Sequence, residues 1–471
     1  MPVILILADG ARADTFAARI ATGALPNLER LGHEGSLHTI SSVFPSVTGP
    51  AYTPFLLGRF PGPVGLPGLR WYDRSRARCG YPHARSYIGH QIRHIDGDLD
   101  AAAPTMFELA RSRFGSMNMI NRGLGSGERL GHGPGFALRA ALTHFRGDVR
   151  GWLGIDRAMA GDVARHIRVH RPDFVFAGFT GVDKTSHQSG HDSPAAMEAL
   201  GIVDEVVAEL RHDAERDGRW EETELWVVSD HGHSVVHRHD DLADVVRAAG
   251  HRVIAHPWVL GRWDVAVMVS GNAMAHLYLE RERRERPWWP ELAPRWEALA
   301  RLLLERPSVD LLMLPHSPTR TEIRGGAHAA APGRAMLHAE RGCYRYHPID
   351  GDPLGIGEVS GVGADDAHAI CAESDYPDAL VQIAALAGSA RAGEMIVSAA
   401  RGWDYRARYE PIPHFSTHGA LHREHMLVPL LTNRPTARTP LRTVDVMPSA
   451  LRALGIAEPP GLDGTAFNGG R

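Results

Sequence analysis

The chain has 471 residues, of which 44% are hydrophobic and 23% are charged, and its formal net charge is -4. These values are typical of a globular protein, and the small negative charge argues against binding of a nucleic-acid polymer through a basic surface. Three cysteines, Cys79, Cys343 and Cys371, form no C-x-x-C pair, which excludes a cysteine zinc ribbon and a disulfide framework.

The opening segment MPVILILADG combines a buried strand with an acidic end. It has no basic start and its apolar run is shorter than a secretory signal needs, so we expect a cytoplasmic protein. No segment approaches the roughly 18 apolar residues of a membrane span, and we expect no membrane partner.

Strands and helices alternate along the first half of the chain. Short apolar runs predict buried strands, and apolar residues at helical spacing predict helices. The predicted elements are, in chain order, VILILA, LPNLERLGHEG, SLHTISSVF, AYTPFLLG, TMFELARS, DRAMAGDVARHIRVH, PDFVFAGFT, PAAMEALGIVDEVVAELRHDAE and LWVV. This alternation predicts an α/β fold with a mostly parallel central sheet flanked by helices.

The pattern changes between residues 241 and 410, where PWWPELAPRW, SPTRTEIRGGAHAAAPG and HPIDGDPLG interrupt it. It returns with HFSTHGALHREHMLVPLLT and a last predicted helix, TVDVMPSALRALGI. We therefore predict a core of residues 1–240 and 411–471 with an inserted α+β cap at 241–410. The segment VSGNAMAHLYL is compatible with the cap and with an added strand of the main sheet.

Three predicted strands end in a carboxylate. Asp9 follows VILILA, Asp183 follows FVFAGFTGV, and Asp230 follows LWVVS. The carboxyl ends of parallel strands lie at one edge of a sheet, where α/β proteins hold their ligands. Like charges crowded there repel each other unless cations lie between them.

Histidines accompany these acids. His187 follows Asp183 by four residues, His231 directly follows Asp230, and His418 lies in a late STHGA. Each motif alone is compatible with a helix cap or a turn, but the ordered set predicts a two-metal site. Mixed Asp/His ligation suits zinc best, with manganese or iron as alternatives.

The segment FPSVTGPAY offers an oxygen nucleophile for such a site. Ser46, Thr48 and Thr53 are all candidates, because each lies near the start of a predicted helix, where free N–H groups favour a phosphoryl group. Helix capping is the alternative role of each hydroxyl. Spacing favours Thr48 slightly, because it falls at the turn.

The ordered motifs ADG, PSVTGP, GVDKTSH, SDHG and THG resemble the alkaline phosphatase superfamily, and most of all its nucleotide pyrophosphatase/phosphodiesterase branch. The resemblance covers residues 1–240 and 411–471. It implies two zinc ions, hydrolysis of a small phosphate ester, nucleotides included, and a phosphothreonine intermediate on Thr48. The implied ligand sets are Asp183, His187 and His418 for one ion, and Asp9, Asp230, His231 and Thr48 for the other.

The sequence departs from this branch after the threonine. The branch carries a Pro-Asn pair there and a second asparagine some residues later, whereas here Ala51 follows Pro50 and the later region reads PGLRWYD. Arg70 in that region can contact a substrate phosphate, or it is an ordinary loop arginine. Lys184, inside VDKTSH, is either a phosphate contact or a solvent-facing residue.

These departures keep a phosphomonoesterase and a phosphonate hydrolase open beside the phosphodiesterase. A non-catalytic metal-binding protein is the alternative from another class. A sulfatase is disfavoured, because neither PSVTGPAY nor CGYPHAR has the C/S-x-P-x-R pattern. His191, His233 and His414 are candidates for residues that support the metal ligands.

Overall fold

A computed structural model describes residues 1–76, 84–327, 329, 332–406, 410 and 412–469. The CGYPHAR segment around Cys79 lies largely outside these residues. The strands are β1 (Val3–Ala8), β2 (Ser36–Ser41), β3 (Arg70–Tyr72), β4 (Ala84–Ser86), β5 (Arg113–Ser116), β6 (Arg129–Leu130), β7 (Phe174–Phe179), β8 (Glu224–Val228), β9 (Ser234–His239), β10 (Val253–Ala255), β11 (Val265–Ser270), β12 (Met274–Leu279), β13 (Val309–Ser317), β14 (Arg320–Gly325), β15 (Gly333–Glu340), β16 (Cys343–Gly351), β17 (Val359–Val362), β18 (Met395–Ala399), β19 (Gly402–Asp404), β20 (Ser416–Thr417) and β21 (Leu427–Thr432).

The helices flank these strands. They are α1 (Ala13–Ala21), α2 (Pro26–Glu34), α3 (Thr53–Leu57), α4 (Ile95–Asp98), α5 (Met106–Leu109), α6 (Pro134–Phe145), α7 (Val149–His170), α8 (Gly181–Ser189), α9 (Pro194–Arg216), α10 (Leu242–Ala248), α11 (Trp289–Leu304), α12 (Ala364–Cys371), α13 (Ala379–Ala387), α14 (Arg423–Met426) and α15 (Val446–Leu454). Within the described ranges, no helix has both the length and the apolar character needed to cross a bilayer.

The main sheet has seven strands in the order β2-β21-β8-β1-β7-β5-β6. Strand β1 pairs in parallel with β7 and β8, whereas β21 is antiparallel to β2 and β8. The prediction of a mostly parallel central sheet flanked by helices is therefore confirmed.

Alternate residues of β1 point into two separate apolar layers. Leu5 and Leu7 join one cluster, and Ile4 and Ile6 join the other. Because successive side chains of a strand face opposite sides, a continuous apolar run can be buried only when both faces of the sheet are covered. This explains why VILILA forms a central strand.

A second sheet of nine strands is built from residues 253–399, in the order β10-β11-β12-β18-β13-β14-β15-β16-β17. Strand β12, which contains most of the NAMAHLYL segment, pairs with β11 and β18 in this second sheet and not in the main one. One apolar cluster joins Val43, Phe44 and Ala51 to the helix α13. The second sheet thus packs against the segment that carries Thr48, and its description as a separable cap at 241–410 stays a proposal.

Candidate metal centre

The three strand-end acids meet at the carboxyl edge of the main sheet. Asp9 directly follows β1, Asp183 is the third residue of α8 after β7, and Asp230 lies two residues beyond β8. All three carboxylates are fully buried. They lie side by side because β1 pairs with both β7 and β8.

Asp9, Asp230 and His231 form one compact group, in which one ligand atom from each residue lies within 4.8 Å of the others. His231 Nε2 lies 3.3 Å from Asp9 Oδ1 and 3.5 Å from Asp230 Oδ2. Among the described residues, Asp9 Oδ2 and Asp230 Oδ2 have no hydrogen-bond partner. Buried carboxylate oxygens without donors are costly, and a cation would satisfy them.

Asp183 is the centre of a second group, which contains His231, His233 and His418. His418 Nε2 lies 3.5 Å from Asp183 Oδ1, and His187 Nε2 lies 3.2 Å from the same oxygen. His187 and Asp183 are four residues apart in α8, so they share one face of the helix. All six residues predicted from the sequence as metal ligands are therefore brought together, with His231 common to both groups.

Backbone carbonyls orient three of the histidines. Their Nδ1 atoms contact Ser416 O at 2.8 Å (His187), Gly232 O at 3.1 Å (His231) and Ser46 O at 3.0 Å (His418). Because a carbonyl oxygen only accepts, each Nδ1 carries a proton, and Nε2 is the ring nitrogen that faces the acids and is left to bind a metal ion. Metal-binding histidines are oriented in this way, and the residues present therefore fit a metal pair.

Thr48 contacts the group formed by Asp9, Asp230 and His231. Its Oγ1 donates to Asp9 Oδ1 at 3.3 Å and lies 3.1 Å from His231 Nε2. Ser46 Oγ instead donates to Ala420 O, and Thr53 Oγ1 donates to Pro50 O and Arg59 O. Of the three hydroxyls proposed from the sequence, Thr48 is the one that faces the acids.

A glycine allows the chain to turn directly after Thr48. Gly49 has a φ of 95°, which side chains with a Cβ rarely adopt, and a Cβ there would lie 3.0 Å from Met119 Sδ. The chain then enters a short 3₁₀ turn at Pro50–Tyr52 and α3.

Burial and neighbouring charges shift the pKa values of acids and histidines in the cluster. Burial and the neighbouring Asp9 raise the pKa of Asp230 well above its usual value. Burial lowers the pKa of His231, but the charge of Asp230 and the hydrogen bond to Asp9 outweigh burial and raise it to about 9. The centre therefore attracts positive charge, whether protons or metal cations.

Lys184 and Arg70, the predicted phosphate contacts, lie in different surroundings. Lys184 Nζ is 2.7 Å from Asp183 Oδ2, so this lysine contacts a candidate ligand. Arg70, in β3, is nine-tenths buried, and its Nη1 lies 3.5 Å from Glu410 Oε1. No described residue accepts a hydrogen bond from Arg70 Nε.

Three further histidines differ in their contacts. His233 Nε2 is 3.0 Å from Asp183 Oδ1, and its Nδ1 is 3.0 Å from Ser416 Oγ. The His414 ring lies 4.4 Å from that of His187, whereas His191 lies 3.4 Å from Arg12 Nη1. The only sequence feature that pointed to a contact between His233 and Asp183 is the position of His233 in the DHGH motif.

The second sheet also contributes to the centre. The turn between β11 and β12 forms a parallel bridge from Asn272 to His418, and Ala273 N–H donates to His418 O at 3.1 Å. Asn272 Nδ2 donates to Glu410 Oε2 at 2.7 Å. No sequence motif predicted this support of His418, because it is a contact between distant segments.

Comparison with known proteins gives a family match and several similar folds. The family model described as type I phosphodiesterase/nucleotide pyrophosphatase matches residues 3–307. Comparison with curated proteins gives no significant match.

Among solved structures, phosphonoacetate hydrolase from Sinorhizobium meliloti 1021, in complex with phosphonoformate, is 17% identical with a TM-score of 0.56, and the match covers 96% of each chain. Human ectonucleotide pyrophosphatase/phosphodiesterase 5 is 13% identical with a TM-score of 0.57, over 99% of this chain and 97% of that one. The murine protein of the same name, an inactive threonine-to-alanine variant in complex with AMP, is 14% identical with a TM-score of 0.56, over 99% and 97% of the chains. At these identities the likeness establishes the fold.

Proposed function

Because the chain belongs to the type I phosphodiesterase/nucleotide pyrophosphatase family, a family of phosphoester hydrolases, we propose that it hydrolyses small phosphate esters at a two-metal site with Thr48 as the nucleophile. The position of Thr48 Oγ1, 3.1 Å from His231 Nε2 and 3.3 Å from Asp9 Oδ1, carries this proposal. A hydroxyl adjacent to a buried Asp/His cluster that fits metal ions is in the place that phosphoryl transfer requires.

We assign two zinc ions to the cluster, with manganese or iron as alternatives. The proposed ligands are Asp183, His187 and His418 for one ion, and Asp9, Asp230, His231 and Thr48 for the other. When bound, zinc supplies Lewis-acid chemistry, which lowers the pKa of a hydroxyl or water and stabilises charge on phosphoryl oxygens. His233 holds the Asp183 carboxylate in place through its contact at 3.0 Å.

The protein's own residues then define two chemical steps. The Thr48 hydroxyl gives its proton to water, and Oγ1 forms a bond to phosphorus as the bond from phosphorus to the leaving oxygen breaks. The leaving oxygen takes a proton from water, so the products of this step are an alcohol and a phosphothreonine. A water molecule next forms a bond to phosphorus, the bond from phosphorus to Oγ1 breaks, and the Thr48 hydroxyl is restored. The hydrogen bond from Thr48 Oγ1 to Asp9 orients the hydroxyl before attack.

Two observations bear on the substrate. The murine fold relative is an inactive threonine-to-alanine variant in complex with AMP, which supports a nucleotide substrate and a threonine nucleophile here. When WYD is aligned with the similar stretch of the branch, the position of the second asparagine falls on Gly68 or Leu69, and neither residue carries an amide donor. This loss, together with the fold of phosphonoacetate hydrolase, keeps a phosphomonoesterase and a phosphonate hydrolase as alternatives. A cytoplasmic location stays a prediction.

Turnover of three substrates by the zinc-loaded protein tests the proposal. We expect a bis-aryl phosphate diester to be turned over faster than an aryl monophosphate or phosphonoacetate. The reverse order would favour one of the alternatives. Acid quenching during turnover should trap one phosphoryl group on the peptide that contains Thr48.

Thr48→Ala should lower turnover on the order of 10³-fold or more, because the nucleophile is removed. Ser46→Ala is the matched control, since it removes a neighbouring buried hydroxyl that bonds Ala420 O instead of facing the acids. Unchanged turnover in Thr48→Ala would remove Thr48 from the mechanism. Absence of turnover in the wild type would support the non-catalytic alternative.

A further inference from the structure

Helix α6 presents an apolar stripe to solvent. Leu138, Leu142 and Phe145 are 62%, 45% and 67% exposed, respectively. Their spacing of four and three residues places them on one face of the helix. A globular chain usually buries such a face, and grouped exposed apolar side chains mark a surface that another body covers. We call these residues, together with the arginines described next, the α6 surface.

Cationic side chains border the stripe. A cavity of about 320 Å³ is lined by Leu138 and Leu142 together with Arg139 and Arg146. Arg139 and Arg146 are exposed, and so is Arg150 in the first turn of α7.

The one acid in the lining of this cavity is Asp148, which caps α7 by accepting from Gly151 N–H at 2.8 Å. The α6 surface therefore pairs an apolar stripe with an excess of positive charge.

The C-terminal turn of α6 lies near the metal centre. Burial, followed by the charges of Lys184, His187 and His414, lowers the pKa of His144 to about 4, so the C-terminal turn of α6 lies within electrostatic reach of the centre. Phe415, which is 60% exposed, donates its N–H to His187 O at 2.8 Å, so an exposed apolar residue lies beside a candidate metal ligand.

We propose that the α6 surface docks onto an anionic phospholipid bilayer. The apolar side chains of Leu138, Leu142 and Phe145 enter the interfacial layer, and the arginines contact headgroup phosphates. Short helices that combine an apolar face with arginines lie in the plane of a membrane in this manner. This docking departs from the expectation, drawn from the sequence, of no membrane partner.

Charge argues against a second copy of the chain as the occupant. In a two-fold contact the same patch faces itself, so the three arginines of one copy would face the arginine-bordered patch of the other. Like charges brought together in a desolvated contact repel, whereas an anionic bilayer neutralises all three arginines at once.

Vesicle co-sedimentation of the zinc-loaded 471-residue chain tests the proposal. We expect binding to vesicles of phosphatidylcholine with phosphatidylglycerol to be about tenfold or more stronger than to phosphatidylcholine alone, and to weaken at high salt. The double variant Leu138→Ser/Phe145→Ser should lose this binding. Arg139→Ala/Arg146→Ala should lose the preference for the anionic lipid.

Val169→Ser is the matched control, because Val169 is 65% exposed on the neighbouring helix α7 and lies outside the α6 surface. The control should bind like the wild type, and all variants should keep wild-type turnover of a soluble phosphate ester, which shows that they are folded.

Wild-type protein that stays in the supernatant would overturn the proposal. A dimer in light scattering that the serine variant converts to monomer would assign the surface to a second copy instead. Sedimentation does not depend on catalysis, so its result tests membrane docking independently of the proposed hydrolase activity.

Discussion

Replacement of Asp156 by asparagine should stabilise the metal-free protein, and increasingly so as the pH rises. Asp156 lies on the buried face of α7, and its Oδ2 accepts from Gly181 N–H at 2.7 Å, at the start of the helix that carries Asp183 and His187. No described group donates to its Oδ1. Burial raises the pKa of Asp156 to about 7, although hydrogen bonds from the backbone of Gly181 and Thr180 lower it.

The size of the stability change follows from the shift of the Asp156 pKa. An unfolded chain releases the Asp156 proton near the ordinary aspartate pKa of 3.8, whereas the folded protein keeps it up to about pH 7. The folded state therefore binds more protons in this interval, so stability falls as the pH rises through it. A shift of about three pKa units at ~1.4 kcal/mol each lowers the free energy of unfolding by about 4 kcal/mol. This loss of stability is fully present above the pKa of Asp156 in the folded protein and absent below its pKa in the unfolded chain.

Asparagine keeps an acceptor for Gly181 N–H and carries no charge. The difference in unfolding free energy between Asp156→Asn and the wild type should therefore grow by about 3 kcal/mol between about pH 5 and pH 8. Urea unfolding of the zinc-free proteins, followed by circular dichroism, measures it. Asp156→Ala is the control, because it leaves Gly181 N–H without an acceptor and should be about 1–3 kcal/mol less stable than Asp156→Asn. A difference between Asp156→Asn and the wild type that does not change with pH would refute the reasoning.

Three other substitutions separate stability from metal binding and turnover. Asp230→Asn should raise the melting temperature of the chelator-treated protein, because the repulsion between Asp230 and Asp9 is removed. The same variant should bind less zinc in elemental analysis, and an unchanged zinc content would contradict the ligand assignment. Helix propensity alone would raise the free energy of unfolding of Gly181→Ala by up to about 1 kcal/mol. A Cβ at this position meets Asp156 Oδ2, so we expect destabilisation by about 1–3 kcal/mol, and a stabilised variant would disprove the close packing. Lys184→Gln tests the proposal that Lys184 contacts the substrate phosphate: it should keep its zinc and lose about 10–100-fold in kcat/KM, whereas wild-type kinetics would favour the solvent-facing alternative.

The parallel core and the meeting of the acids could be predicted because local sequence carries both signals. A continuous apolar run such as VILILA requires a sheet covered on both faces, and parallel strands bring their carboxyl ends to one edge. Asp9, Asp183 and Asp230 therefore had to lie close together once their strands were recognised. His187 followed from Asp183, because four residues of helix bring both onto one face.

Other features depend on contacts between distant segments. Ser46, Thr48 and Thr53 have similar local contexts, and only the fold shows that Thr48 faces Asp9 while the other two bond backbone carbonyls. The cap that Asp156 provides for α8 comes from a separate helix and has no local signature. The nine-stranded sheet was not predicted in detail, since strands such as β16 are buried irregularly and do not alternate cleanly.

Anomalous diffraction from crystals grown with zinc would test the two-metal centre most directly. We expect two peaks, one bounded by Asp183, His187 and His418 and the other by Asp9, Asp230 and His231, with Thr48 Oγ1 beside the second. Absence of both peaks, or zinc bound only at surface histidines, would contradict the account.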